Sequence, residues 1–451
     1  MRDHRAGSSL LLLAALLLVG PPTAWAQKLI ELGTLPGNTP SQASVGTAID
    51  IICPKLAARS NSLNSAQSDL LARCGDMKLG GFATSQLPDI LGKVSSEDAT
   101  VQGTSAVQTR SAQLRAVGTR LASLRLGATG ISFNGVAPDL DGKTASTGQL
   151  LGSGAGGAGD SSPLSRLGLF VNGVGSFGSV DSTPREAGFD YHSVGMTAGA
   201  DYRFTDTLIA GAAFSYLNSE ADIVSHLGEV TSNGYGLSLY GTYYVGAFYF
   251  DLLGGFTYRS YDSTRNIVYG PTPGFTGTAV DRTATGDTSG WQYTFNGGTG
   301  YDFQVAGSTL TPYFRVEYLH LAINGYTESG AAGLNLQVQS QTVESLLTIL
   351  GGRVAHAFST SFGVLVPQIH LEWRHESLND ARSIKAQFAN DPFNQVFKAA
   401  TDNPDRDYFA VGAGITSQFR KGMAAFLDFE AVVGLANVTS YNFTAGMRIE
   451  F

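Results

Sequence analysis

The feature that most constrains this chain is a series of twelve stretches after Arg166 in which apolar and polar residues alternate. A period of two places successive side chains on opposite faces of a β-strand. The connections alternate as well, because short ones such as 205–206 are followed by long ones, up to 261–289 and 377–405. Membrane barrels have short turns at one rim and long loops at the other, whereas a soluble sandwich has no reason to alternate in this way. The sequence therefore predicts an all-β transmembrane barrel of twelve antiparallel strands. The predicted strands are residues 167–177, 191–204, 207–217, 232–244, 248–260, 290–303, 309–322, 344–358, 362–376, 406–419, 422–431 and 441–451.

The two faces of these strands differ in charge. One parity collects apolar side chains such as Leu310, Phe314 and Tyr318, and the other carries most of the acidic residues. A charge at the lipid midplane costs about 2–4 kcal/mol, so the charged parity is expected to face the lumen. Aromatic residues stand at the short-turn ends of the lipid-facing parity and indicate a girdle at the membrane interface. The predicted acidic residues of the lumen wall are Asp201, Asp251, Glu317, Glu372, Asp428 and Glu430.

The last predicted strand ends on an aromatic residue. Phe443, Met447, Ile449 and Phe451 share its apolar parity, and the opposite parity is polar or small. An amphipathic edge strand of a soluble sheet would show the same alternation. The ending resembles the C-terminal signature of bacterial outer-membrane barrels, in which the last strand ends in Phe. That resemblance implies that these four residues form a membrane-sorting signal.

Residues 1–26 are typical of a signal peptide. Arg2 and Arg5 precede an apolar core, and Ala24-Trp25-Ala26 offers a small-x-small cleavage site. The apolar core is too short for a transmembrane helix, and no other stretch approaches 18 apolar residues. A membrane location would therefore require a closed barrel. The net charge of −8 argues against a nucleic-acid partner.

Residues 27–94 predict a short helical hairpin. Apolar residues recur at helical spacing from Ser41, Pro54 is expected to bend or interrupt the first helix, and Asn64 with Gln67 forms a capping pair for the second. Cys53 and Cys74 are the only cysteines, and export would place them in an oxidising compartment. We expect a disulfide between them, with two free buried thiols as the alternative.

A third helical segment, residues 95–126, carries arginines at intervals of five: Arg110, Arg115, Arg120 and Arg125. This spacing turns each arginine by about 140° from the last, so the four point to different sides of the helix. An exposed helix with scattered arginines is one interpretation. A helix inside the barrel is the other, with the acidic wall around it and its apolar stripe against Leu253, Leu347 and Ile349. The Gly-rich stretch 127–165 is predicted to be a flexible linker.

Several runs of the barrel region resemble the β-domain of autotransporters, the type V secretion family. They are residues 168–173, 188–191, 197–204, 237–244 and 442–451. The resemblance covers residues 166–451. It implies a twelve-stranded barrel in the Gram-negative outer membrane, a pore helix, and a passenger exported through the Sec translocon with help from periplasmic chaperones and the barrel-assembly machinery. The passenger region here is short and helical, and the linker lacks the paired Asn of self-cleaving members.

No catalytic, cofactor or metal site is expected, and the chain is predicted not to be an enzyme. Gly159-Asp160-Ser161 matches the nucleophile block of esterases carried by some autotransporters, but it lies in a Gly-rich coil. His370 and His375 point to opposite faces of one strand, so chelation is not expected. The predicted function is a translocator or anchor that exports or displays a short helical segment. The alternative is an outer-membrane pore or an adhesin-like barrel plugged by its N-terminal helices.

The sorting hypothesis gives the first prediction. Deleting Phe451 removes the outward aromatic residue at the end of the last strand, so the amount of barrel in the outer membrane should fall while the precursor is still exported. Immunoblots of fractionated membranes measure this amount. Phe419→Ala, which removes an outward aromatic residue at the short-turn end of another strand, tests whether any such loss has the same effect. An unchanged yield without Phe451 would contradict the hypothesis.

Overall fold

The computed structural model describes residues 29–128, 137–138, 144–145, 166–419 and 423–450. Twelve antiparallel strands in these residues form a closed barrel, as predicted, and four helices precede it. The barrel strands are β1 Leu167–Val180, β2 Phe189–Arg203, β3 Leu208–Ile223, β4 Gly228–Val245, β5 Phe248–Tyr269, β6 Val280–Tyr301, β7 Ser308–Ile323, β8 Gln341–His356, β9 Gly363–Glu376, β10 Asp407–Phe419, β11 Met423–Val433 and β12 Val438–Glu450. The signal-peptide prediction, most of the predicted linker and Phe451 lie outside the described residues.

The barrel closes where β12 pairs with β1. Val438 pairs with Val180 and Glu450 pairs with Gly168, in continuous antiparallel register. Every other pairing among these twelve strands joins strands that follow one another in the sequence. Closure leaves these strands without a free sheet edge. A bilayer does not tolerate such an edge, because hydrocarbon cannot pair with backbone N–H and C=O groups.

Apolar side chains cover the outer face of the barrel. Leu239 is 71% exposed, Met447 63% and Ile369 62%, values that would be unusual for such residues in a water-soluble protein. Phe443 and Ile449 of the predicted sorting signal also point outward. Exposed aromatic residues mark the short-turn rim, as expected from the sequence: Phe204, Tyr243, Phe248, Phe303, Phe358 and Phe419.

Several long connections are shorter than predicted because the strands extend beyond the membrane. The loop between β3 and β4 is residues 224–227, and the loop between β5 and β6 is residues 270–279. Outside the bilayer neither face of a strand must be apolar, so the alternation fades there. The polar run 262–266 is part of β5 for this reason.

The remaining long loops contain a small second sheet that the sequence analysis missed. Its four strands are Tyr326–Thr327, Leu336–Val338, Ser383–Phe388 and Phe397–Ala400, paired in that order. We call it the loop sheet. Strands of two to six residues are too short to reveal a period, and half of this sheet comes from each of two separate loops.

The helices are α1 Pro40–Ala57, α2 Ser65–Lys78, α3 Leu87–Val94 and α4 Glu97–Ala128. Asn64 and Gln67 form the predicted capping box of α2. The expectation that Pro54 bends or interrupts the first helix is wrong in one respect, since α1 continues to Ala57. Pro54 lies in the last turn, where little helix remains to be disturbed. The sequence analysis also missed α3. None of the described helices combines the length and apolar character needed to span a membrane.

The structure contains the predicted disulfide, which joins Cys53 of α1 to Cys74 of α2. Replacing both cysteines by serine should destabilise these helices by about 3 kcal/mol, because the bond closes a loop of 21 residues. The purified double variant should lose helical circular dichroism at a lower temperature than the wild type, while the barrel keeps its heat-modified gel mobility. Equal melting of the two proteins would contradict this expectation.

Candidate functional site

The interior of the barrel is occupied by α4, whose arginines reach the wall on different sides. Arg120 donates two hydrogen bonds to Asp201 of β2, from Nε at 2.6 Å and from Nη2 at 2.7 Å. Tyr240 donates a third hydrogen bond to the same carboxylate, and the ring of Phe170 lies 5.5 Å from the guanidinium. Arg120 is only 1% exposed. This arrangement is a bidentate, charge-assisted pair shielded from water.

A second arginine binds the wall nearer the long loops. Arg110 donates to Glu376 of β9 at 3.0 Å and to the hydroxyl of Tyr408 at 3.3 Å. Ser345 and the backbone N–H of Leu346 also donate to Glu376. The sequence analysis did not single out Glu376, although it has the same parity on β9 as Glu372. Asp201 lies near a short turn and Glu376 near a long loop, so α4 enters the barrel from the long-loop rim.

A third arginine meets the wall between these two contacts. Arg115 forms an ion pair with Glu430 of β11 and lies 3.8 Å from Asp428. Glu430 also accepts a hydrogen bond from Arg374 at 2.8 Å and contacts His370 at 3.4 Å. The side chain of Arg125 lies outside the described part of α4.

Five of the six predicted acidic residues of the wall fall into two groups. Asp201, Asp428 and Glu430 meet arginines of α4, as described above. Glu317 and Glu372 instead accept from arginines of the barrel itself, because Arg315 donates to both and Arg374 donates to Glu372. Asp251 lines a cavity beside the helix. The wall therefore neutralises barrel arginines as well as helix arginines.

The apolar stripe of α4 packs against one side of the lumen. Leu114, Val117, Leu121 and Leu124 form a cluster with residues of β1 and β3–β5 that includes Phe170, Ile209, Ala213, Tyr240, Tyr244, Tyr249 and Leu253. Of the three wall residues expected to meet the stripe, Leu253 belongs to this cluster. Leu347 and Ile349 lie in a separate cluster with Tyr408. The helix is thus held against β1–β5 and leaves space on its other side.

That space forms two cavities of roughly 150 Å³ each. The outer cavity lies near the long loops and is lined by Arg110, Glu376 and Tyr408, among others. The inner cavity lies toward the short turns and is lined by Arg115, Glu372 and Asp428, among others.

The helices α1–α3, which we call the helical cap, pack on the loops above the barrel. Their buried side chains form one apolar core with residues of the β5–β6 hairpin and the long loops, such as Ile267, Leu334 and Phe388. Nearly half of the buried members of this core belong to the barrel part of the chain. Asp69 of α2 adds an ion pair with Arg282 at 2.6 Å and accepts from the backbone N–H of Gly333. The helical cap and the loops therefore share one core.

Acidic residues are buried at the junction of the helical cap and α4. Asp98 is 4% exposed and lies near Glu328, whose carboxylate binds Arg265 in a bidentate pair. Burial, with Glu328 as a second cause, raises the pKa of Asp98 to about 7. Burial, with the charges of Asp98 and Glu186, raises the pKa of Glu97 to about 7. Arg282 and the Gly333 N–H act in the other direction on Asp69 and lower its pKa.

Comparisons with known proteins agree with the fold. A family model described as "Autotransporter beta-domain" matches residues 169–430. Esterase EstA of Pseudomonas aeruginosa is 27% identical over 213 residues, which are 46% of this chain and 31% of that protein. An extracellular serine protease of Serratia marcescens is 22% identical over 268 residues, 58% of this chain and 24% of that protein. The chain thus spans about a third or less of these curated relatives.

Two solved structures are similar to part of this chain at low identity. The translocator domain of the autotransporter NalP from Neisseria meningitidis is 15% identical, with a TM-score of 0.48, over 67% of this chain and 93% of that one. The β-domain of the Bordetella autotransporter BrkA is 19% identical, with a TM-score of 0.46, over 63% of this chain and 100% of that one.

The acidic junction predicts that the helical cap binds more tightly in mild acid. Glu97 and Asp98 have higher pKa values in the docked state than their usual values of 4.5 and 3.8, so the docked state holds more protons between about pH 4 and about pH 7. Stability should therefore fall as the pH rises through this window. At pH values below this window, protonation of Asp69 should destabilise the docked state, because the pKa of Asp69 is lowered there. The thermal midpoint of the helical signal should drop between about pH 5 and about pH 8.

The variant Asp98→Asn tests the cause of this dependence. The amide keeps the shape of the side chain but cannot ionise, so the slope of the midpoint against pH should decrease. Asp89→Asn, at an exposed position of α3, is the matched control and should keep the slope of the wild type. Equal slopes in the wild type and Asp98→Asn would rule out this origin.

Proposed function

The chain belongs to the autotransporter β-domain family, and from this premise we propose that its outer-membrane barrel exports α1–α3 and keeps them at the cell surface as a docked cap. The shared apolar core of the helical cap and the loops is the observation that carries the proposal. A passenger that folds alone has its own core. This one would expose Ile267, Leu334 and Phe388 of the barrel if it departed, together with its own apolar face.

The size of the exported unit supports retention. Chains of a few tens of residues rarely bury enough apolar surface to fold without a disulfide, a metal or a partner. The helical cap has one disulfide, and the loops supply the remaining surface. We therefore infer that the barrel is both the translocator of the helices and the template on which they fold.

The proposed role is export and display rather than catalysis. The family match covers the barrel, and the names of the esterase and protease relatives describe proteins about three to four times as long as the aligned segments. Autotransporter barrels are in general assembled by the barrel-assembly machinery. The partners we propose are this machinery, periplasmic chaperones, the Sec translocon and outer-membrane lipid.

Protease access on intact cells tests the proposal. A protease site inserted at the exposed turn Ser60–Ser62 should be cut from outside. Because the Cys53–Cys74 disulfide spans this site, the cut cells are then treated with a reductant, and the N-terminal fragment should stay with the barrel instead of appearing in the medium. If the site is cut only after the cells are permeabilised, the helices are not displayed. If the helical cap is found in the medium, it is not retained.

A matched pair of variants tests whether the helical cap docks on the loops. Leu334→Asp places a charge in the shared core, where Leu334 is fully buried, so the helical cap should become sensitive to protease along its length. Leu378→Asp makes the same change at a loop position that is 41% exposed and should leave the resistance unchanged. Equal resistance of both variants would contradict docking on the loops.

A further inference from the structure

The two lumen cavities meet at one level of the barrel. On β9, Arg374 and Glu376 line the outer cavity, whereas His370 and Glu372 line the inner one. On β11 the outer cavity is lined by Val432 and the inner one by Asp428.

The same division appears on the helix. Arg110 of α4 faces the outer cavity, and Leu114 and Arg115 face the inner one. A single layer of side chains between Arg110 and Arg115 therefore separates the cavities.

This layer consists of charged residues in mutual contact. Glu430, which lies between Asp428 and Val432 on β11, is fully buried and binds both Arg115 and Arg374. Arg374 donates through Nε to Glu372 at 2.8 Å. We call Arg115, Glu372, Arg374 and Glu430 the charge layer. Three of its members stand on barrel strands, and only Arg115 reaches across from α4.

Water has access to the outer side of the charge layer. Asp181, Asn403 and Asp405 line the outer cavity and are exposed at the long-loop rim, so the cavity opens beside the helical cap. The inner cavity extends to Tyr249 and Arg353, near the short-turn rim. A Cβ atom added to Gly118 of α4 would meet no atom within 4 Å, so this part of the lumen has room for solute.

We propose that a polar path runs beside α4 along β7, β9 and β11, and that the charge layer is the barrier that closes this path to small hydrophilic solutes from the cell surface. This barrier goes beyond export and display, because it seals the space that the helix itself leaves unfilled. The walls on both sides of the layer are polar, with Arg315, Asn296 and Gln368 in the inner cavity. The barrier is made of side chains alone, so removing one side chain should open it.

Arg115→Ala is the variant that opens the path with the least disturbance. It removes the side chain that spans the gap from α4 to β11, and Glu430 keeps Arg374 and His370 as partners. Arg203→Ala is the matched control, because it shortens the same residue type on β2, where Arg203 donates to the hydroxyl of Tyr244 and makes no part of the charge layer. Arg203 lines neither the outer nor the inner cavity.

A thiol introduced at Gly118 reports whether the barrier is open. Gly118→Cys places this thiol in the inner cavity, and Cys53 and Cys74 do not compete because they are bonded to each other. Intact cells are treated with a small, charged, membrane-impermeant thiol reagent. With Arg115 present, labelling from outside should be slow. With Arg115→Ala it should be several-fold faster, and with Arg203→Ala it should remain slow. Heat-modified gel mobility checks that each barrel is folded.

Three outcomes would overturn the proposal. The first is rapid labelling of the Gly118→Cys variant from outside with Arg115 present, and the second is no acceleration with Arg115→Ala. The third is equal acceleration by Arg203→Ala, which would mean that loss of any lumen arginine opens the path. If Arg115→Ala does not fold, Glu430→Gln replaces it, since loss of the shared carboxylate leaves two arginines that repel each other; unchanged labelling in that variant also overturns the proposal.

Discussion

The structure depends on the closure of its sheet between β1 and β12. Hydrocarbon offers no partner to a backbone N–H or C=O group, so strands that cross the bilayer must be paired along both edges. Closure fixes the parity of each strand, because a shift of one residue would move every outward side chain to the lumen. The apolar exterior, the polar lumen and the position of each acidic residue follow from this register.

The polar lumen explains why α4 carries arginines on several sides. A helix in water gains little by placing charges around its circumference, whereas a helix inside a barrel meets a wall in every direction. Arg120 reaches β2, Arg115 reaches β11 and Arg110 reaches β9. The stripe from Leu114 to Leu124 then selects the apolar side of the lumen, which leaves the two cavities on the other side. The off-centre position of the helix is thus a consequence of its sequence.

The features that could be predicted from the sequence are those that follow from the period-two alternation of apolar and polar residues. Twelve strands, their parity and the inward position of Asp201 follow from alternation, since the bilayer enforces it over the whole barrel. The disulfide followed from cysteine number and compartment. The partner of Arg110 could not be predicted from the sequence, because neither the alternation in the strands nor the spacing of the arginines fixes the depth of α4 in the lumen. The separation of Leu347 from the helix was missed for the same reason.

The loop sheet and α3 were missed for a different reason. The loop strands are too short to show a period, and their pairing joins residues about 50 positions apart, such as Leu336 and Phe388. Their apolar residues are explained only by the helical cap that covers them. The apolar residues of the loops and those of the N-terminal helices form one core together. Neither set can therefore be recognised as a core when its own sequence is considered alone.

The N-terminal region is attached at two places, since α4 binds the barrel wall and the helical cap binds the loops. These attachments differ in strength, and the weaker one should separate first. Arg120 and Asp201 are buried and bonded to each other, and breaking such a pair by removing one partner costs about 3–5 kcal/mol. The ion pair of Asp69 with Arg282 is partly exposed, and pairs of that kind contribute at most about 1 kcal/mol. The shared apolar core, together with hydrogen bonds such as that from Arg265 to the carbonyl oxygen of Lys93, must therefore hold the helical cap against the cost of desolvating Glu97 and Asp98 at the junction. Since α4 keeps its buried pairs when the core opens, the helical cap should lift from the loops while the helix still fills the lumen.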